Sequence, residues 1–184
     1  MRRLFLIAGL MTALGLAVVA ASAFAAANFA GAWSLDKAKS QGLDPRMQNA
    51  ESVTWTITQD DKQISIESKV VAGAPPAGAP TGGGGGGGMG GGRGPAGPRV
   101  FGLDGKEATA EVQGGTNTTK TTWSSDGKTL ELSAVRAGSR DGQEFKFTTV
   151  EKLSLSGDGK VLTVARHGES PRGPQDSTLV FNKQ

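Results

Sequence analysis

The chain has 184 residues, with 20 Lys and Arg against 17 Asp and Glu, 29 Gly and no Cys. Arg2 and Arg3 belong to an N-terminal leader, so the remaining chain has 18 basic against 17 acidic side chains. That balance excludes the strongly basic surface of a typical nucleic-acid-binding protein. The lack of Cys excludes a disulfide framework and a lipid-anchored N-terminal cysteine.

Residues 1–25 have the pattern of a secretory signal peptide. Two arginines precede an uncharged apolar run, residues 4–20, and small residues follow it. Small residues at the positions that a signal peptidase reads allow cleavage after Ala23, Ala25 or Ala27. The apolar run is at the lower limit of the length that spans a bilayer. We therefore expect a cleaved signal, no stable membrane span after cleavage, and a periplasmic or extracellular protein.

Residues 28–71 form the first part of a predicted β domain. Only residues 36–50 have any helical character. In the next stretch Val53, Trp55 and Ile57 alternate with threonines, the period of two that is typical of a strand with one buried face. The sequence QISIESKVV alternates in the same way after a DDK turn. The two stretches predict an antiparallel hairpin.

Residues 72–98 interrupt the domain with a Gly- and Pro-rich insert, which holds 14 of the 29 Gly and 5 of the 8 Pro. Such a segment loses much backbone entropy on ordering and has few side chains to bury, so we expect it to be disordered. It lacks the Lys-Ser/Thr ending of a phosphate-binding loop. Arg93 is its one arginine, too few for an RNA-binding tract. A flexible loop between strands is the main expectation, and a partner-binding loop is the alternative.

Residues 99–184 form the second part of the domain and contain four Asp-Gly pairs, which begin at Asp104, Asp126, Asp141 and Asp158. Asp-Gly between alternating apolar runs is a strong hairpin signal, because both residues tolerate a positive φ. The segments between these pairs are rich in β-branched and aromatic residues. Eight to ten strands joined by short turns must be antiparallel neighbours. Such a meander hides its edges as a barrel or a sandwich, and we favour the barrel.

The segment that follows the leader reads NFAGAWSLDKAKS. Together with the DGK hairpins and the C-terminal STLVFNKQ, it resembles the small secreted bacterial lipocalin-like proteins, which open with a Gly-x-Trp strand followed by Leu-Asp and Lys-Ser. The residues that match are Gly31, Trp33, Leu35, Asp36, Lys39 and Ser40. The resemblance implies a lipocalin-like barrel whose base is closed by Gly31 and Trp33. It also implies an arginine from a late strand against the Trp33 ring, for which Arg166 is the candidate.

Aromatic side chains are spread over most of the predicted strands, and packing in the core is their ordinary role. A barrel of eight or more strands can also leave room for a small apolar ligand among its inward side chains. The candidates for lining such a cavity are Trp55, Phe101, Trp123, Phe145 and Phe147. Both roles stay open for these five residues.

The run RHGE at residues 166–169 resembles the signature of the histidine phosphatases, whose histidine is phosphorylated during turnover. That chemistry needs a second histidine, and His167 is the only one in the chain. The run also lies in an all-β context, where we expect a strand over residues 161–167 followed by an exit loop. Ser170, His167 and Asp176 lack the nucleophile elbow of a hydrolase triad. One His and no Cys exclude the common zinc sites, so no metal or cofactor is expected.

These observations favour an exported, non-enzymatic lipocalin-like protein that binds or carries a small hydrophobic ligand. The alternative is an envelope interaction or structural protein with a barrel filled by its own side chains. In that case the exposed loops, including residues 72–98, would contact a protein partner that the sequence does not identify. An enzyme is a third hypothesis, and it would depend on His167.

Overall fold

The computed structural model describes residues 26–73, 97–140 and 142–184. The predicted signal peptide and residues 74–96 of the Gly-rich insert lie outside these ranges, so both expectations stay predictions. In chain order, the elements are β1 (Gly31–Leu35), α1 (Pro45–Gln48), β2 (Ala50–Gln59), β3 (Gln63–Ala72), β4 (Arg99–Gly102), β5 (Ala108–Val112), β6 (Gly115–Trp123), β7 (Thr129–Arg140), β8 (Gln143–Leu155), β9 (Val161–Ser170) and β10 (Gly173–Lys183). No helix in the described ranges is long and apolar enough to cross a bilayer.

The strands form one antiparallel sheet in the order β4-β3-β2-β1-β10-β9-β8-β7-β6-β5. β1 joins the two halves of the sheet, because it pairs with β2 on one side and with β10 on the other. The sheet rolls up until β4, at one end of this order, lies beside β6, where Thr121 Oγ1 donates a 2.6 Å hydrogen bond to Gly102 O across the seam. The prediction of an antiparallel barrel of eight to ten strands is thus confirmed.

Three of the Asp-Gly turns share one geometry, although the one at Asp104 does not form the predicted hairpin, because β4 and β5 lie at opposite ends of the sheet order. In each, the Asp carboxylate accepts a 3.1 Å hydrogen bond from the backbone N–H of the Lys two residues later. Gly105, Gly127 and Gly159 have φ angles of 73°, 67° and 69°, in the left-handed region that favours glycine. These turns and the β2–β3 turn lie at one end of the barrel, here named the base. The opposite end, with the β5–β6, β7–β8 and β9–β10 turns, is named the mouth.

A packed apolar core fills the base half of the barrel. Its largest fully buried side chains are Trp33, Trp55, Phe29, Phe181, Ile57, Ile64, Ile66, Leu130, Leu132, Leu153, Leu162 and Leu179. The N-terminal segment closes the base, because Ala27 N donates to Gly127 O at 2.9 Å and Phe29 N donates to Gln59 Oε1 at 3.0 Å. Each fully buried side chain of this size contributes about 1.5–3 kcal/mol relative to an exposed one.

The strands extend beyond this core toward the mouth. On β8, residues 143–149 are all exposed or half-buried, and β5 is exposed along its whole length. The connection from β1 to β2 also lies at the mouth end and contains α1, which Asp44 caps by accepting a 2.8 Å hydrogen bond from Met47 N. The mouth half of the barrel interior is therefore accessible to solvent, whereas the base half is not.

The prediction that an exit loop follows His167 is wrong. β9 continues to Ser170, and the pairing with β10 runs on to Gly173. Pro174 is tolerated there because β1 pairs with β10 only opposite residues 181–183. The other side of β10 near the mouth is consequently an edge, where a residue without an N–H breaks no ladder.

Candidate functional site

A buried carboxylate marks the boundary between the core and the mouth half. Glu151 on β8 is 1% exposed. Arg166 on the neighbouring β9 donates Nε to Glu151 Oε1 at 2.8 Å, and its Nη2 lies 2.6 Å from the same oxygen. Arg99 on β4 donates Nη1 to Oε2 at 2.8 Å. Because β4 and β8 are well separated in the sheet order, the Arg99 contact crosses the barrel interior. These three residues are named the Arg–Glu–Arg bridge.

The bridge carries a net positive charge. Burial raises the pKa of Glu151, but the attraction and hydrogen bonds of Arg99 and Arg166 outweigh burial and hold that pKa below its ordinary value. The carboxyl group is therefore ionised at neutral pH, and two guanidinium groups share one negative charge. Their side chains are 28% and 24% exposed. A guanidinium has five N–H donors, so both arginines keep donors beyond those that Glu151 accepts.

The bridge lies on the aromatic core. The Arg99 guanidinium carbon is 5.4 Å from the Trp55 ring centroid and 5.9 Å from that of Phe101, within the range of cation–π attraction. Trp55 also contacts Phe181, with ring centroids 4.6 Å apart. Trp55 and Phe101 were candidates for a cavity wall, and the structure places both as buried side chains beneath the bridge.

A further arginine lies nearer the mouth. Arg136 on β7 has the same orientation as Leu130 and Leu132, because side chains two residues apart on a strand share one face. Its Nη2 donates to Gln113 O at 3.3 Å, and its Nε is buried without a hydrogen-bond partner. Phe147 lies directly opposite Arg136 in the β7–β8 pair and is 43% exposed. A cation and an apolar ring thus lie side by side in the mouth half.

Phe145 extends this apolar lining toward the mouth. Its ring centroid is 5.6 Å from that of Phe147, and it pairs with Gly138 on β7. Trp123 lies at the other end of the barrel, stacked on Phe29 at 6.0 Å. The five aromatic candidates therefore separate into two groups. Trp55, Phe101 and Trp123 pack in or against the core, and only the two phenylalanines face the mouth half.

The residues expected to close the base have different partners from those that the resemblance implies. Trp33 is fully buried and donates Nε1 to Phe29 O at 2.9 Å, and the cation over its ring is Lys183 at 5.4 Å. Gly31 begins β1 beside it. Trp33 pairs with Lys183 and Arg166 pairs with Ser177, which are about 20 Å apart along β10. Arg166 accordingly lies in the bridge and not against Trp33.

His167 faces outward from the barrel. Its Nδ1 is 2.6 Å from Asp176 Oδ1, and its Nε2 is 3.7 Å from Glu169 Oε1. The hydrogen bond to Asp176 is the main cause of a raised His167 pKa. Ser170 has the opposite orientation, because side chains alternate along a strand, and its Oγ donates to Gly173 O at 3.2 Å. The structure therefore brings His167 and Asp176 together but leaves Ser170 on the other face.

The parts of the chain that the structure describes contain no group of three or more His, Asp or Glu side chains that could hold a metal ion. Glu151 and Arg136 were not recognised from the sequence as site residues. A signal was present, because each has the spacing of the buried residues on its strand. Glu151 is two residues from Leu153, and Arg136 is four residues from Leu132.

No protein-family model matches the chain, and no curated protein matches it. Among solved structures, the chain is similar to the zebrafish ileal bile acid-binding protein in complex with cholic acid. The TM-score is 0.45 and the identity is 12%, over 85% of this chain and 98% of that chain.

Proposed function

We propose that this protein is an exported, non-enzymatic binding protein that holds a small hydrophobic ligand in the mouth half of its barrel. The main support is the division of the interior. The base half is filled by the protein's own side chains, whereas the mouth half has two phenylalanine rings that are accessible to solvent. A folded domain rarely leaves clustered aromatic surface uncovered unless something else covers it.

The lining of the mouth half suits a molecule with a substantial apolar part. Val70, Ala134, Phe145 and Phe147 have the lumen-facing orientation and are half-buried or exposed. Burial of their accessible surface by a ligand would contribute about 25 cal/mol per Å². Binding would then need no covalent step. The Arg–Glu–Arg bridge would form the inner end of the ligand site.

The non-enzymatic part of the proposal is supported by the positions of the candidate nucleophile and base. Ser170 and His167 lie on opposite faces of β9, so neither can activate the other. A turnover that His167→Ala abolishes in a folded protein would contradict this part of the proposal.

Export is supported by the leader, with its two arginines and uncharged run over residues 4–20. The test is fractionation of cells that produce the full chain, followed by N-terminal sequencing of the protein. We expect the envelope or medium fraction to hold a chain that begins after a residue between 23 and 27. An uncleaved chain in the cytosol would contradict export.

The ligand is best sought by native mass spectrometry of the protein purified without detergent from its own envelope fraction. We expect an extra mass of a few hundred daltons that organic solvent releases. The Phe147→Ala protein should retain much less of that mass, whereas Val100→Ala, which removes an exposed apolar side chain from the outer face of β4, should retain it. A bare protein with no shift on addition of fatty acids would contradict ligand binding.

An interaction protein is the second candidate function, and a specific feature favours it. β5 is exposed along its length and is one end of the sheet order, so one of its edges can accept a strand from a partner. This role predicts capture of a partner that is lost when residues 72–98 are deleted or when β5 carries a proline. If native mass spectrometry shows the mass of the protein without a ligand, that result would favour the interaction protein.

A further inference from the structure

We infer that the ligand of the mouth half is an amphipathic acid, whose oxyanion head group is bound by Arg136 and by the outer donors of the Arg–Glu–Arg bridge. The inference rests on the proposed function, because it specifies the chemistry of the ligand at the same site. It goes beyond that function by assigning a charge to the ligand and a position to its head group.

The charges above the core are strongly biased. Arg99, Arg136 and Arg166 face the lumen between the core and the mouth, and the acidic residue among the described strand positions there is Glu151. These four residues therefore have a net charge of about +2, although the chain after the leader is almost neutral. A lumen with this bias attracts an anion and repels a cation.

The unmatched hydrogen-bonding groups point in the same direction. Two buried side-chain nitrogens in the described ranges lack a hydrogen-bond partner, Trp55 Nε1 and Arg136 Nε. Both are N–H donors on lumen-facing residues. A buried donor without an acceptor costs about 1–3 kcal/mol. A ligand that supplies acceptor oxygens would remove that cost at Arg136, and a carboxylate matches the fork of a guanidinium with two parallel hydrogen bonds.

The carboxylate of the one acidic side chain described at the site already accepts hydrogen bonds from arginines of the protein. Glu151 accepts from Arg99 Nη1 and from Arg166 Nε and Nη2. A ligand ammonium group would have to compete with two guanidinium groups for this carboxylate. A carboxylate or sulfate group of the ligand would instead meet two guanidinium groups that share the single negative charge of Glu151. Both guanidinium groups have N–H donors that Glu151 does not use.

The position of the phenylalanines defines where the apolar part of the ligand lies. Phe147 is the direct cross-strand neighbour of Arg136, and Phe145 continues the apolar surface toward the mouth. A head group on Arg136 therefore places the first atoms of an apolar tail against the Phe147 ring. The site therefore matches a molecule that carries both an oxyanion head group and an apolar tail, and it does not match a free inorganic anion.

The experiment compares three probes that share one apolar tail: decanoate, decan-1-ol and decylammonium. Their binding to the purified protein is measured by isothermal titration calorimetry at neutral pH. We expect decanoate to bind about tenfold more tightly than decan-1-ol, since one charge-assisted hydrogen bond supplies an energy of this size. Decylammonium should bind more weakly than the alcohol, and added NaCl should reduce the advantage of the acid.

Two variants locate the head group. Arg136→Gln should weaken decanoate binding about tenfold and leave decan-1-ol binding unchanged. Lys146→Gln is the matched control, because Lys146 lies between the two phenylalanines on β8 but is exposed on the outer face. It removes the same charge at the same height of the barrel and should change neither affinity. Arg136→Lys, which keeps the charge without the fork, should have an intermediate effect and serves if Arg136→Gln fails to fold.

The outcomes separate the inference from the proposed function. Equal affinities for decanoate and decan-1-ol, or a decanoate affinity that neither Arg136 variant changes, would overturn the oxyanion site and leave hydrophobic binding intact. Inorganic phosphate binding as tightly as decanoate would show a simple anion site and overturn the amphipathic acid. Failure of all three probes to bind would overturn the proposed function and the inference together.

Discussion

Replacement of the buried carboxylate should destabilise the protein more than any other removal of a single charge. Glu151→Gln keeps the shape of the side chain but leaves two guanidinium groups without a counter-charge. The amide nitrogen would also face one of them, donor against donor. Each contact of 2.6–2.8 Å attracts by about 6 kcal/mol in an effective dielectric of about 20, and desolvation offsets much of this energy.

Loss of one partner from a buried ion pair costs about 3–5 kcal/mol. The guanidinium groups of the bridge are about a quarter exposed, and water can screen them in part. We therefore expect Glu151→Gln to lower the free energy of unfolding by about 2–4 kcal/mol. Equilibrium unfolding in urea, followed by the fluorescence of the buried tryptophans, measures this difference.

The outer face of the neighbouring strand supplies a matched control. Glu131 on β7 pairs with Lys152 at 3.4 Å, with side chains that are 38% and 59% exposed. Exposed pairs of this kind contribute about 0–1 kcal/mol, so Glu131→Gln should have little effect. If Glu151→Gln costs no more than Glu131→Gln at neutral pH, the bridge is not a buried charge cluster and the reasoning fails.

The pH dependence provides an independent check on the same residue. The folded-state pKa of Glu151 lies below its ordinary value of 4.5. A carboxyl group whose pKa is lower in the folded than in the unfolded protein stabilises the fold at a pH above its unfolded pKa. That stabilisation is lost as the pH falls through the folded pKa. The gap between the wild-type protein and Glu151→Gln should therefore shrink as the pH drops below about 4.5. A gap that is constant down to strong acid would contradict an ionised Glu151.

Two other contacts give separate predictions. Thr121→Val removes the hydrogen bond that bridges the barrel seam and should cost about 1 kcal/mol in urea unfolding; Thr122→Val, on the exposed face of β6, is the control, and equal costs would argue against the seam contact. Asp176→Asn should lower the pKa of His167 in an NMR titration, because the Asp176 hydrogen bond raises it. With a raised folded pKa, the His167 contribution to stability is present below the unfolded value near 6.5 and is lost as the pH rises through the folded pKa. An unchanged titration would contradict the pairing.

The strands and turns of this protein were predictable because their signals are local. Alternation in the stretch around Trp55 and the Asp-Gly pairs at Asp126 and Asp158 each depend on only a few consecutive residues. The end of β9 was not predictable in this way. Whether Pro174 breaks a ladder depends on how far the distant β1 extends along the other side of β10, and the β1 pairing ends opposite Phe181.

The roles of the aromatic residues needed the tertiary structure. Trp55 and Phe147 both occupy the apolar phase of an alternating strand, so the pattern alone treats them alike. Their height in the barrel separates them, because Trp55 lies below the bridge at the base and Phe147 lies above it near the mouth. Height follows from the register of every strand between them.

The sequence by itself determined the alternation, the turns and the orientation of Glu151, which shares a face with the buried Leu153. Only the tertiary structure decided what that carboxylate meets. Its partner Arg99 is 52 residues away in the chain and lies across the barrel. Their contact forms only when the ten-stranded sheet closes, because closure and not local preference brings opposite walls together.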